Sequence, residues 1–483
     1  MPPKKKGSKA KDVKETPKNV SNEKTSNFSG CKIASALITL ALAVLFYKFY
    51  NTYLITPELP KFDLDVWWGP SNNASQDKSI RPFKILFTDS MQENLRRKFE
   101  AERRATATKS LEETSRFGMN SDVVGQLFAH WRFKYKYGRR ASELNKLNHY
   151  KTNVQGMDIH FIRVKPENTK NVKVLPILLL HGWPSSVRDF YDMIPLLTTP
   201  RPNYDFVFEV IAPSLPGFTY SQGSRKPGLT TYQMAIILRN LMERIGHKQF
   251  YVHGGDVGHI VGSHMATLFR DQVLGFHSTT PINLSKLAHL TLMLGSICPK
   301  CVANDLADKI YPYSDKLKFY LEESGYLHLQ STKPDTLGIV LQDSPLGLAV
   351  YIIEKYLLFT NPANKYAQDG GLNSFNQTDL LDNVLMYWNT GSITSSLRLF
   401  KEFVNNYEME ETLSRIPTSV ATWGLRTKND IIQQPDFILR WKYPNLIGTT
   451  NLDDGGHFAA FEKPAEVSDD IFKAVKSFLV KIK

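Results

Sequence analysis

Asp256 stands in the run Gly254-Gly255-Asp256-Val257-Gly258, which matches the G-x-S-x-G nucleophile-elbow pattern with an aspartate in the serine position. Glycines at the flanks permit a tight strand-to-helix turn, because a Cβ there would crowd neighbouring backbone while the central side chain is thrust into the open. Such a turn serves nucleophilic attack: it sets the side chain beside the next backbone amide and a helix N-terminus, where negative charge is favoured. Taken alone, the motif has a second reading, a glycine-rich turn in which Asp256 only caps a helix. His457 lies near the C-terminus in Asp453-Asp454-Gly455-Gly456-His457-Phe458, a loop that glycines leave free to aim an imidazole. Asp430 precedes it in a loop of the kind that holds a carboxylate partner. The order nucleophile, acid, histidine is one of the known triad orders.

Such side chains need a scaffold. After Lys151, short apolar runs at Ile177 to Leu180, Val207 to Ala212, Phe250 to His253 and Ser419 to Trp423 alternate with helical stretches such as Tyr232 to Ile245. Runs of this length ending in Gly or Pro loops suit parallel strands buried on both faces, so an α/β sheet is expected. Its chemistry belongs beyond the carboxyl ends of the strands. The elbow follows one such run, and His181-Gly182-Trp183-Pro184 follows another. Residues 88–149 read as mainly helical, including the charged run Met91 to Arg104 and the amphipathic run Val123 to Tyr137.

Of the 483 residues, 42% are apolar and 22% charged, a balance that builds a sizeable interior and excludes collagen, wholesale disorder and a polytopic membrane bundle. A net charge of +13 raises nucleic acid or acidic lipid as a partner, but eight lysines crowd residues 1–24 and the chain beyond Lys48 carries only about +6. No nucleic-acid partner is expected. Residues 1–30 read as a disordered basic tail. From Ile33 to Tyr47 the chain is uncharged, and continuing to Ile55 it reaches the roughly 20 residues of a bilayer span. Residues 31–55 are therefore expected to form one membrane anchor helix, with a buried core helix as the alternative; the polar tail before it argues against a cleaved signal peptide. Trp67 and Trp68 beyond it read either as an interfacial aromatic anchor or as packed surface aromatics.

The three cysteines, Cys31, Cys298 and Cys301, cannot supply a disulfide framework for a chain of this size. Cys298-Pro299-Lys300-Cys301 has C-x-x-C spacing, yet no second pair or nearby histidine completes a zinc site. Two ordinary thiols at a turn are expected.

From Trp67 to the C-terminus the sequence resembles the microsomal epoxide hydrolases of the α/β-hydrolase superfamily, a family that includes the insect juvenile hormone epoxide hydrolases. The resemblance is carried by Ile80-Arg81-Pro82-Phe83, His181-Gly182-Trp183-Pro184, Gly254-Gly255-Asp256, Ser324-Gly325-Tyr326, Thr332-Lys333-Pro334-Asp335-Thr336, Asp343-Ser344-Pro345, Asp369-Gly370-Gly371-Leu372, Tyr387-Trp388 and the run from Gly455 to Glu462. It implies an α/β-hydrolase fold with an N-terminal helical extension over 56–150, core segments at 151–282 and 406–483, and a helical lid at 283–405. It also implies Asp256 as nucleophile, His457 as base, Asp430 as its partner, Tyr326 and Tyr387 as donors to the epoxide oxygen, and the amides of Trp183 and Val257 as an oxyanion hole.

Two positions depart from the family pattern. Val257 stands where a tryptophan is usual, which leaves the amide in place but alters the pocket, and Asp430 stands where the mammalian members carry the longer Glu. The implied reaction converts lipophilic epoxides and water to vicinal diols through an ester on Asp256, with no metal or organic cofactor. A serine-type esterase is disfavoured by aspartate at the elbow, and a haloalkane dehalogenase by the missing tryptophan at Val257. A non-catalytic, membrane-tethered binding protein on the same scaffold is the alternative of a different class. The lysine-rich tail puts the catalytic region in the lumen by the positive-inside rule, whereas the resemblance implies a single-pass anchor in the endoplasmic reticulum with a cytosolic catalytic domain, which is the expectation adopted. Sequons at Asn73, Asn283 and Asn376 distinguish the two.

Overall fold

The computed structural model describes residues 28–70, 76–102, 109–167, 169–170 and 172–482. Most of the expected basic tail and the sequon at Asn73 lie outside them. The chain divides into two units, Met1–Ile55 and Thr56–Lys483. In the first, the helix Phe28–Phe49 continues into a π-helical turn at Tyr50–Leu54, and every side chain from Lys32 to Tyr50 is exposed. Among the described residues it is the one single helix long and apolar enough to cross a bilayer.

The second unit is built on a nine-stranded sheet: β1 Arg81–Phe83, β2 His149–Val154, β3 Met157–Val164, β4 Lys173–Leu180, β5 Phe206–Pro213, β6 Phe250–Gly254, β7 Val273–Ser278, β8 Thr422–Arg426 and β9 Leu446–Asn451. Their order is β1-β2-β3-β5-β4-β6-β7-β8-β9. The first four pair antiparallel and everything from β5 onward is parallel. All residues of β5, β6 and β8 are buried, as strands covered on both faces require. Side chains alternate across a strand, so adjacent residues of β7 report opposite faces. A Cβ on Gly275 would lie 2.3 Å from Phe478 in the helix Pro464–Ile482, while one on Gly262 in the helix Val257–Leu268 would lie 2.6 Å from Phe276. The two helices therefore cover opposite sides.

The apolar run expected from Ser419 to Trp423 is displaced toward the C-terminus, because β8 pairs from Thr422 to Arg426. Hydropathy missed the end of the strand since Arg426, only 3% exposed, is buried by donating to the Gln434 carbonyl and the Asp436 carboxylate. Trp68 is likewise no interfacial residue: it is buried and its amide donates to the Gln155 carbonyl in the β2–β3 turn. Residues 88–149 hold the helices Asp89–Glu102, Ser121–Ala129 and Tyr137–Leu144, with Phe99 edge-on to Trp131 at 4.9 Å.

Between β7 and β8 the chain is helical from Lys286 to Arg415. Near its start a small satellite core gathers Ala288, Leu292, Leu306 and Ile310 around Ile438. Cys298 and Cys301 form a disulfide there, correcting the expectation of two free thiols. The turn that brings them together ends in the helix Pro299–Ala303, with proline at its first position.

A buried charge network joins three parts of the chain. The carboxylate of Asp382, on the helix Gln377–Thr390, accepts from Tyr135 at 2.7 Å, from Arg140 and, at 3.3 Å, from Arg188 just beyond the His181–Pro184 loop. Arg140 and Arg188 both also reach Asp379. The helix Gln377–Thr390 is thereby tied to the segment that follows the His181–Pro184 loop.

Candidate active site

β6 ends at Gly254, the helix Val257–Leu268 begins two residues after Gly255, and Asp256 holds the turn with φ 51° and ψ −125°. A non-glycine residue in this region is strained by about 1–3 kcal/mol, the strain that lifts the side chain clear of both elements. A Cβ on Gly258 would fall 2.1 Å from the Leu180 carbonyl, so glycine is what lets the helix meet the end of β4. A Cβ on Gly182 would fall 2.5 Å from Asp256, so glycine also lets the facing loop close on the carboxylate.

The Trp183 amide donates to Asp256 Oδ1 at 2.8 Å, and the Val257 backbone amide also favours charge on this carboxylate. On the other oxygen, Oδ2, His457 Nε2 stands at 3.3 Å, and His457 Nδ1 is 3.3 Å from Asp430 Oδ1. Both contacts are at the long end for hydrogen bonds, as is common before substrate binds. Burial works against charge on Asp256, but the His457 contact and the two amides outweigh it and hold the carboxyl below the usual range. Burial also works against charge on His457, yet Asp430 and Asp256 together raise its pKa well above an ordinary imidazole.

Each neighbour of this triad is held by backbone contacts. His181 stays neutral, its pKa pushed down to about 4 by burial; Nδ1 meets the Gly182 carbonyl at 2.9 Å and Nε2 accepts from the Leu215 amide at 3.0 Å. Glu462 accepts from the Gly456 and Phe458 amides on either side of His457, fixing that loop. Asp430 accepts from the Ile432 amide at 3.0 Å.

The two tyrosines are not equivalent. Tyr326 stacks on Trp183, and among the described residues its hydroxyl has no hydrogen-bond partner. Burial, then the charge of Asp256, pushes its pKa up, so it is a neutral donor. Tyr387 is fully buried and its hydroxyl donates to the Ser185 carbonyl at 2.7 Å. The two expected donors therefore differ in this structure: the single phenol proton of Tyr387 is engaged by Ser185, and that of Tyr326 is not. Sequence reasoning also missed Asp189, whose carboxylate accepts from Tyr356 at 2.9 Å beside the triad and whose pKa burial raises to about 6. The only signal for it was its place five residues after Pro184, in the loop already singled out.

The family model described as "Epoxide hydrolase N terminus" matches residues 80–190, and that of the "alpha/beta hydrolase fold" matches residues 176–297. "Juvenile hormone epoxide hydrolase 2" of Ctenocephalides felis is 44% identical over 454 residues, covering 93% of this chain and 96% of its own. The chain belongs to the epoxide hydrolase family. As an epoxide hydrolase it is also similar in structure to the juvenile hormone epoxide hydrolase of the silkworm Bombyx mori, with a TM-score of 0.85 and 42% identity over 87% of this chain and all of that one. The similarity extends to "Epoxide hydrolase 1" of Oryctolagus cuniculus, 40% identical over 423 residues, 85% of this chain and 92% of its own. This epoxide hydrolase thus has the α/β-hydrolase core with extra N-terminal helices.

Proposed function

We propose that the epoxide hydrolase activity runs through a covalent ester on Asp256. The observation that carries this reading is the asymmetric carboxylate: the Trp183 amide holds Oδ1 while the second oxygen, Oδ2, faces His457. Attack of Oδ2 on a ring carbon forms the C–O ester bond and breaks the strained C–O bond, and the departing ring oxygen takes a proton from Tyr326. Water then bonds to Cγ as His457 Nε2 accepts one of its protons, and the Trp183 and Val257 amides stabilise the oxyanion. Collapse expels the diol oxygen, which takes that proton from His457. The remaining water proton leaves the regenerated Asp256 carboxyl for the Tyr326 phenolate, and the cycle closes. Asp430 orients the imidazole throughout.

The substrates are lipophilic epoxides. Relatives named as juvenile hormone epoxide hydrolases at 41–44% identity make juvenile hormone the first candidate. The unburied apolar helix at Lys32–Leu54 supports a single-pass anchor in the endoplasmic reticulum membrane, with the catalytic unit on the cytosolic side.

A single turnover with excess enzyme in heavy-oxygen water separates this route from direct attack by water. The ester route gives unlabelled first-turnover diol and label in the Asp256 peptide. Labelled diol with an unlabelled peptide would overturn the assignment of Asp256.

A further inference from the structure

A cavity of about 30 Å³ lies beside the nucleophile, bounded by Asp256, His457, Asp189 and His253. It exceeds the roughly 10–15 Å³ that one water needs, and its walls are polar enough to hold one. His253, next to last in β6 and three residues before Asp256, is only 1% exposed. Its Nδ1 lies 2.9 Å from His277 Nδ1, and among the described residues its Nε2 has no partner. The contact continues away from the cavity, since His277 Nε2 is 3.0 Å from Asp470 Oδ2.

The direction of this chain follows from its far end. Asp470 also takes hydrogen bonds from the Trp423 indole at 3.1 Å and the Thr450 hydroxyl, and an indole N–H can only donate. Asp470 is therefore the acceptor, and His277 Nε2 donates to it. With one proton on each ring, His277 Nδ1 accepts from His253 Nδ1, and His253 Nε2 is left with a lone pair. Burial, and then the neighbouring His277, holds the pKa of His253 well below that of a free imidazole, consistent with a neutral ring.

We propose that His253 is a positioning residue whose Nε2 accepts a hydrogen bond from a water in this cavity, holding the water that hydrolyses the Asp256 ester. This rests on the covalent reading above. With one water proton engaged by His253, the other remains for His457 to accept as the oxygen bonds to Cγ. His253 accepts no proton itself, and Asp470 and His277 fix its tautomer. The hydrolytic water is thus supplied from the sheet side of the nucleophile, and alkylation by the epoxide does not depend on it.

The test compares His253→Leu with His253→Gln, whose amide oxygen restores an acceptor, in single turnovers of styrene oxide followed by quenched-flow mass spectrometry of the Asp256 ester. In His253→Leu the ester should form at a rate within about twofold of wild type and break down about tenfold or more slowly, and Gln should recover most of the loss. Equal breakdown in His253→Leu and wild type would overturn the proposal, as would equal loss in the Leu and Gln variants, which marks a merely structural role. Should His253→Leu not fold, nitrogen-15 spectra of labelled wild-type enzyme, assigned by the signal lost in His253→Gln, decide the matter: an unprotonated Nε2 supports the proposal and a protonated Nε2 overturns it. Absence of any ester in wild type and in His457→Gln would refute the covalent reading instead.

Discussion

The indole of Trp183 lies flat on the phenol of Tyr326, ring centroids 5.5 Å apart and planes within 10° of parallel, while the amide of the same tryptophan donates to Asp256 at 2.8 Å. One residue therefore couples the amide that meets the Asp256 carboxylate to the tyrosine proposed as the donor to the epoxide oxygen. Phe400, in the helix Ile393–Asn405, packs nearly perpendicular to the indole at 5.5 Å, so the ring is located from that helix as well as from the loop.

Unequal tyrosines follow. Tyr326→Phe removes the one phenol proton that is not already engaged, and should slow ester formation by about 100-fold or more. Tyr387→Phe removes a bond to the Ser185 carbonyl, so it should slow ester formation less and cost about 1–3 kcal/mol of stability through the buried carbonyl left behind. Rapid-quench ester formation and urea unfolding read the two effects separately. Equal kinetic losses with unchanged stability would show that Tyr387 exchanges its carbonyl bond for the epoxide oxygen.

The glycosylation expectation is narrowed by burial. Asn283 is 2% exposed, its carboxamide donating to the Ile438 carbonyl and accepting from the Ser285 amide, whereas Asn376 is exposed. A folded catalytic unit in the lumen should carry sugar at Asn376 and none at Asn283. A glycosidase-sensitive mass shift abolished by Asn376→Gln would place that unit in the lumen and refute the cytosolic proposal.

Removing residues 1–55 tests the anchor. These residues form a unit of their own and include none of the proposed catalytic groups. The truncated enzyme should appear in the soluble fraction with kcat/KM close to that of the full chain. Retention on membranes would implicate another apolar surface; Trp68, being buried, is not the one.

What the sequence made legible were the turns. Glycines around Asp256 and His457 mark tight backbone whatever lies nearby, and continuous apolar runs mark the parallel strands. Contacts between distant segments left no such trace. Nothing local pairs Asp189 with Tyr356, or aims Tyr387 at Ser185, and Arg426 reads as a surface charge until Asp436 and Gln434 are seen beside it. The disulfide depended on a turn whose conformation C-x-x-C spacing alone does not specify.

The Asp382 network should dominate the stability of the helix Gln377–Thr390 and its attachment to the core. The Asp382 side chain is wholly buried with two arginines and a tyrosine on it, so Asp382→Ala leaves Arg140 and Arg188 with less compensation. Breaking a buried pair from one side costs about 3–5 kcal/mol. Urea unfolding should show a loss of that size, and a loss below about 1 kcal/mol would mean that Asp379 suffices for both arginines.

Acid should separate the two chemical steps. Asp256 has a depressed pKa, so its carboxylate stays charged, and competent to attack, down to below the ordinary carboxyl range. His457 has a raised pKa, sustained by Asp430 and Asp256, and can accept a proton from water only when it is neutral. Ester formation cancels the charge on Asp256 and with it part of what holds the proton on His457, so the imidazole becomes a readier base at the point where one is needed. As the pH falls from about 8 to about 5, ester formation should hold nearly constant while ester breakdown slows, because acid reprotonates His457. Quenched mass spectrometry in the steady state should then show a growing fraction of esterified Asp256 at lower pH. The apparent pKa of breakdown should also lie below that of His457 in the free enzyme, measured by proton NMR of the imidazole. An esterified fraction that stays constant or falls on acidification would remove His457 as the base for hydrolysis.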